Sequence, residues 1–101
     1  MCTVTLVPRS DGYALAINRD EQRSRVVAMA PKSVRVGQQN AVYPTEPGGG
    51  TWIGVNGLGV TYALINWYAV PWHIDNEPVS RGRVPPIMLA TDSLEQAHQV
   101  L

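Results

Sequence analysis

The chain has 101 residues, 45% of them hydrophobic, which suits one globular domain and not a disordered segment. Its formal net charge is zero with no basic block, which argues against nucleic acid or an anionic membrane surface as partner. One cysteine excludes an internal disulfide and a cysteine-built metal site; no apolar run approaches the ~20 residues of a membrane span and no start resembles a secretory signal, so a cytoplasmic protein is expected.

Residues Cys2 to Val7 alternate in the period of a half-buried strand, with Cys2, Val4 and Leu6 on one face. Pro8 is expected to end it. Ser10-Asp11-Gly12 is a turn signal, and Tyr13 to Ile17 returns as a second strand, giving a hairpin. Asn18-Arg19-Asp20-Glu21 then follows directly on that apolar strand, and Gln22 to Arg25 is polar and expected on the surface. Val26 to Ala30 reads as a short strand or a packed loop that stops at Pro31. Val34 and Val36 alternate with Arg35, Gly37 to Asn40 is a turn, and Ala41 to Tyr43 is a short extended piece.

Pro47-Gly48-Gly49-Gly50 lacks the Lys-Ser/Thr of a phosphate loop and the spacing of a dinucleotide fingerprint, so it reads as a glycine entry into a strand. Thr51 to Val55 and Leu58 to Ile65 flank Asn56-Gly57, the dipeptide of a two-residue hairpin turn. Gly54 and Gly59 mark a bulge or the close approach of another group. Trp67 to Pro78 reads as a loop. Pro85 and Pro86 are placed to open a helix at Ile87. Asp92 with Glu95 is a capping-box-like start for a second helix, whose apolar stripe is Leu94, Ala97, His98 and Leu101. No Gly or Pro terminates that stripe, so residues 1–101 read as the N-terminal part of a single larger domain.

The hairpin carries the chemistry. If the first two strands pair, the end of the second lies beside the start of the first, and Cys2 meets the polar cluster. Methionine removal is favoured before a small residue, which would leave a thiol and an α-amine on Cys2. The amine can then serve as base for its own side chain, and the thiolate is the nucleophile. Arg19 could hold the thiolate or a substrate carboxylate, Asp20 could orient the amine, and Asn66 at another strand's end could donate to an oxyanion. Each residue also has a plainer reading: Cys2 as a small apolar filler, residues 18–21 as a solvated turn with a local ion pair, and Asn66 as a turn residue. His73 and His98 stand alone and read as surface or packing residues. Trp52, Trp67 and Trp72 read as core or as the wall of an apolar pocket.

Several strings together resemble one family: Met1-Cys2; Asn18-Arg19-Asp20-Glu21 after a strand; Gly49-Gly50-Thr51-Trp52-Ile53-Gly54-Val55; Ala63-Leu64-Ile65-Asn66; and Ser80-Arg81-Gly82. The chain resembles the NRDE family, which includes the transport and Golgi organisation proteins. The resemblance implies an α+β fold, the αββα sandwich of antiparallel sheets of N-terminal-nucleophile (Ntn) hydrolases, of which these residues form the N-terminal part. It implies Cys2, Arg19, Asp20 and Asn66 as catalytic residues for an amide bond, and Asn18, Glu21, Trp52 and Arg81 as substrate contacts. It implies no cofactor and no metal. The expected partner is a small-molecule amide. The same resemblance also allows a non-enzymatic protein that binds or traffics haem, an acyl-lipid or acyl-CoA.

Overall fold

The computed structural model describes residues 1–66 and 79–101. Strands Thr3–Arg9 (β1) and Gly12–Asn18 (β2) form a two-stranded antiparallel sheet whose register runs from Thr3 opposite Asn18 to Arg9 opposite Gly12. Ser10 and Asp11 alone make the turn. Pro8 does not end β1; it sits inside the strand opposite Tyr13. An edge strand tolerates this, because one side of its backbone has no ladder bond to lose. The expected half-burial of β1 is also absent, since Thr3 to Arg9 are exposed throughout.

Strands Met29–Val36 (β3), Gln39–Thr45 (β4), Ile53–Asn56 (β5) and Thr61–Ala63 (β6) form a second antiparallel sheet in chain order. Val26 and Val27 precede it as exposed chain. Pro31 does not stop β3 but lies within a register shift between Met29 and Lys32, where a missing N–H costs no ladder bond. Val36 opposite Gln39 leaves a two-residue turn, with Gly37 at φ 57°.

The Asn56-Gly57 turn differs from its expected form. Neither residue has positive φ; Gly59 does, at 78°. Val55 faces Thr61, and the Asn56 N–H donates to the Val60 carbonyl at 3.0 Å, so the loop is Gly57-Leu58-Gly59. This three-residue form needs its left-handed residue last, and Gly59 supplies it. The Asn56 side chain reinforces the turn, its Oδ1 accepting from the Leu58 and Val60 N–H groups at 3.1 Å each.

A single turn of 3₁₀ helix at Arg81–Arg83 leads into helix Val84–Leu89 (α1), with Pro85 and Pro86 inside its first turn, where no backbone donor is needed. Helix Leu94–Val100 (α2) is capped by Ser93, not Asp92: Ser93 Oγ accepts from the Gln96 N–H at 3.1 Å, and Gln96 Oε1 accepts from the Asp92 N–H at 2.6 Å. The expected stripe of α2 is not buried. Ala97 is, but Leu94, His98 and Leu101 are exposed.

Alternation along β4 and β5 divides the second sheet into two faces. Ala41 and Tyr43 join the fully buried Leu89 of α1 in the core, with Val34, Val36 and Tyr62 packed around them. Burying a leucine side chain stabilises by about 1.5–3 kcal/mol. Val42, Ile53 and Val55 point the other way, towards β2.

Candidate functional site

The β1–β2 register ends at Thr3 opposite Asn18, so Cys2 and Arg19 are the next residues along the two strands at that end of the hairpin. Cys2 is a free, half-buried thiol. The α-amine of Met1 lies 3.3 Å from Asp20 Oδ2, with both groups exposed. The expected meeting of the N-terminus with the polar cluster is therefore present in the hairpin, and its cause is the register.

Arg19 is the most enclosed charge here, with a side chain 18% exposed. Its guanidinium lies over the Trp52 ring, 3.8 Å from the centroid. Its Nη2 donates to Glu21 and to Glu46 Oε1, the latter at 2.9 Å. Arg25 completes a ring of alternating charge: Nη1 donates to Glu21 Oε2 at 2.8 Å and Nη2 to Glu46 Oε1 at 2.6 Å. A turn in which the Arg25 N–H donates to the Gln22 carbonyl at 2.9 Å folds Arg25 back onto Glu21. Burial works against the charge of Arg25, but Glu46 and Glu21 outweigh it and raise its pKa above the ordinary arginine value.

The glycine-rich string carries Glu46 and Trp52 to this place. The Glu46 N–H donates to the Gly50 carbonyl and the Gly49 N–H to the Glu46 carbonyl, both at 2.8 Å, in a tight turn with Gly49 at φ 87°. Gly50 then packs backbone to backbone on Gly82, and the Thr51 N–H donates to the Gly82 carbonyl at 3.0 Å. Exposed Arg81 is thereby brought beside the entry to β5. The Leu64 N–H donates to the Trp52 carbonyl at 2.7 Å, so half-buried Asn66 follows where the chain leaves the sheet at the Trp52 end. Asn18 is exposed and closes the hairpin opposite Thr3. Trp67, Trp72 and His73 lie outside the described residues.

Glu46 and Arg25 escaped the sequence reading. Glu46 has no local signal, because it reaches Arg19 only through the packing of two sheets. Asn56 does more than make the expected turn: it is buried, and its Nδ2 donates to the Leu89 carbonyl at 3.3 Å, binding the hairpin turn to α1. Gly54 is a close-approach glycine, as expected; Gly59 has open space around it and serves the turn.

A cavity of about 570 Å³ lies between β2 and the outward face of the second sheet, walled by Tyr13, Leu15, Val42, Ile53 and Val55 among others. Tyr13 Oη closes the gap at one end, donating to the Gly59 carbonyl at 2.7 Å and lying 2.7 Å from Thr61 Oγ1. Among the described residues no cluster of three or more His, Cys, Asp or Glu is arranged to hold a metal ion, and no helix is long and apolar enough to cross a membrane.

These features define an antiparallel α+β protein whose two sheets converge on a ring of alternating charge, centred on half-buried Arg19, beside the chain's first residues. Residues 1–100 match the family model described as Transport and Golgi organisation 2, and the chain belongs to that family. Comparison with curated proteins gave no match, and comparison with solved structures gave none.

Proposed function

We propose that this protein is a cysteine hydrolase of the Ntn type, acting on a carbon–nitrogen amide bond of a small molecule. The observation that carries the reading is the hairpin that ends with Thr3 opposite Asn18, next along the chain to Cys2 and Arg19, with the Met1 α-amine at 3.3 Å from Asp20. The two antiparallel sheets, with α1 against one face of the second, fit the first strands of an αββα sandwich.

In this mechanism, hydrolysis of the Met1–Cys2 peptide bond releases methionine and frees the α-amine of Cys2. The amine takes the Sγ proton, and Sγ attacks the amide carbonyl carbon. Asn66 donates to the oxyanion, and Asp20 orients the amine. Arg19, its charge already met by Glu21 and Glu46, helps Asp20 to orient the nucleophile. The C–N bond breaks, the amine product leaves with the proton, and a thioester remains on Cys2. Water then cleaves the thioester, releasing the acid and restoring the thiol. Asn18, Glu21, Trp52 and Arg81 border the site as substrate contacts. The carboxylates already on Arg19 leave it little capacity for a substrate acid, which favours a neutral amide group near it.

The test is an intact mass of the natively expressed protein before and after brief thiol alkylation. Loss of Met1 with fast alkylation of Cys2 near neutral pH is expected, and Cys2→Ser should abolish hydrolysis of whichever amide a screen identifies. Retained Met1, or a thiol that stays unmodified in the folded protein, overturns the reading.

The cavity favours a second reading, a non-enzymatic carrier of an acyl-lipid, acyl-CoA or haem. Its volume of about 570 Å³ and its largely apolar wall fit such a ligand's apolar part. A fluorescent fatty-acid probe that binds equally to the wild type and Cys2→Ser, with no amide turnover by either, would support it.

A further inference from the structure

We propose that Glu46 is a positioning residue that fixes the Arg19 guanidinium in place, and through it the surroundings of Cys2. The second half of this proposal rests on the nucleophile reading of Cys2 given above. Two carboxylates touch Arg19, but they are not equivalent. Glu21 is two residues away on the same segment and moves with it. Glu46 follows β4 in the other sheet, so of the two carboxylates it alone ties Arg19 to a separate part of the fold.

The geometry suits that task. The backbone of Glu46 is held on both sides, its N–H on the Gly50 carbonyl and its carbonyl on the Gly49 N–H, each at 2.8 Å. Its carboxylate is therefore aimed by the glycine turn. One oxygen, Oε1, accepts from both guanidinium groups, at 2.9 Å from Arg19 and 2.6 Å from Arg25. Without that charge, two cations would share Glu21 alone and repel each other. Trp52 offers a face but no directional acceptor, so it cannot by itself choose where Arg19 lies. The string from Glu46 to Trp52 thus holds the two residues that grip Arg19 from the second sheet.

The experiment uses the full chain and the variants Glu46→Gln and Glu46→Asp, with circular dichroism to confirm folding. Two readouts are taken. One is the Nε–Hε resonance of Arg19, which the Trp52 ring shifts upfield while the stack persists. The other is the rate of Cys2 alkylation by iodoacetamide near neutral pH, against the same chain unfolded in urea. In Glu46→Gln the upfield shift should vanish and alkylation should slow roughly tenfold, the lost placement of Arg19 outweighing the lost negative charge, which alone would speed it. Glu46→Asp keeps the charge on a shorter arm and should restore part of both; it also carries the test if Glu46→Gln fails to fold. An Arg19 resonance unmoved in the folded variants overturns the proposal. A lost shift with alkylation unchanged or faster, in a protein whose wild-type Cys2 reacts faster than the unfolded chain, overturns the link to Cys2. A wild-type Cys2 no faster than the unfolded chain overturns the nucleophile reading instead, and the resonance alone then decides whether Glu46 fixes Arg19.

Discussion

Gly54 and Leu89 are fitted to one another with no room for a methyl group between them: a Cβ on Gly54 would lie 2.5 Å from Leu89 Cδ1, 3.0 Å from Tyr43 Cβ and 3.3 Å from the Val42 carbonyl oxygen. Leu89 is fully buried, so its terminal carbon has nowhere to swing. Gly54→Ala should therefore destabilise the fold by about 1–3 kcal/mol through overpacking. Urea denaturation of the variant measures this, and Gly54→Ala combined with Leu89→Ala should lose less than the sum of the two single changes.

Asn56 supports the turn with its oxygen and α1 with its nitrogen. Asn56→Ala leaves two backbone N–H groups and a buried carbonyl with fewer partners and should cost about 1–3 kcal/mol. Asn56→Asp keeps the turn acceptors but sets a carboxylate against the Leu89 carbonyl, so it should be no better than alanine. Thermal melts of both variants check the order. Recovery of wild-type stability by Asn56→Asp would mean that the contact with α1 contributes nothing.

Trp52 gives Arg19 a face to stack on, and the enclosed position of that guanidinium strengthens the attraction. Trp52→Leu preserves apolar bulk and removes the ring, so it should cost about 0.5–2 kcal/mol. A double-mutant cycle with Arg19→Met isolates the pair, and a coupling energy near zero would show that the stack is geometric only.

Arg25 sets a pH dependence by its sign. Its folded-state pKa is raised, so its contribution is complete below the unfolded pKa and is lost only as pH rises through the folded one. For arginine both values lie beyond the working alkaline range, which leaves that contribution flat. Lysine ordinarily titrates at about 10.4, so Arg25→Lys should introduce a stability loss as pH climbs past that region. The half-exposed position keeps the loss below about 1 kcal/mol. Urea midpoints from neutral pH to pH ~11 check it, and parallel curves for wild type and variant would contradict it.

The hairpins were legible because their signals are local. Alternation in Cys2 to Val7 and in Val34 to Val36, the apolar run Tyr13 to Ile17, and glycines at the turns are enough to pair neighbouring strands. The meeting of the chain's first residues with the polar cluster, seen in the Met1 amine beside Asp20, follows from one such pairing. The Asn56 turn misled because Asn-Gly is a strong signal by itself, while the deciding residue, Gly59, stands two places later. The Ser93 cap was hidden by the adjacent Asp92, and the exposed stripe of α2 by a periodicity that reports amphipathicity and not coverage. Glu46 was out of reach altogether, since its partner is chosen by how two sheets meet.

The glycine pair Gly50 and Gly82 belongs to two strings far apart along the chain, yet a Cβ on Gly82 would come within 3.0 Å of Gly50 Cα, and one on Gly50 within 3.3 Å of Gly82 Cα. The strings are therefore the two halves of a single clasp. Most contacts drift by compensation, one side chain shrinking as its neighbour grows. Here neither side has an atom to give up, so a change at one half has no remedy at the other, and both glycines are bound to persist or vanish together.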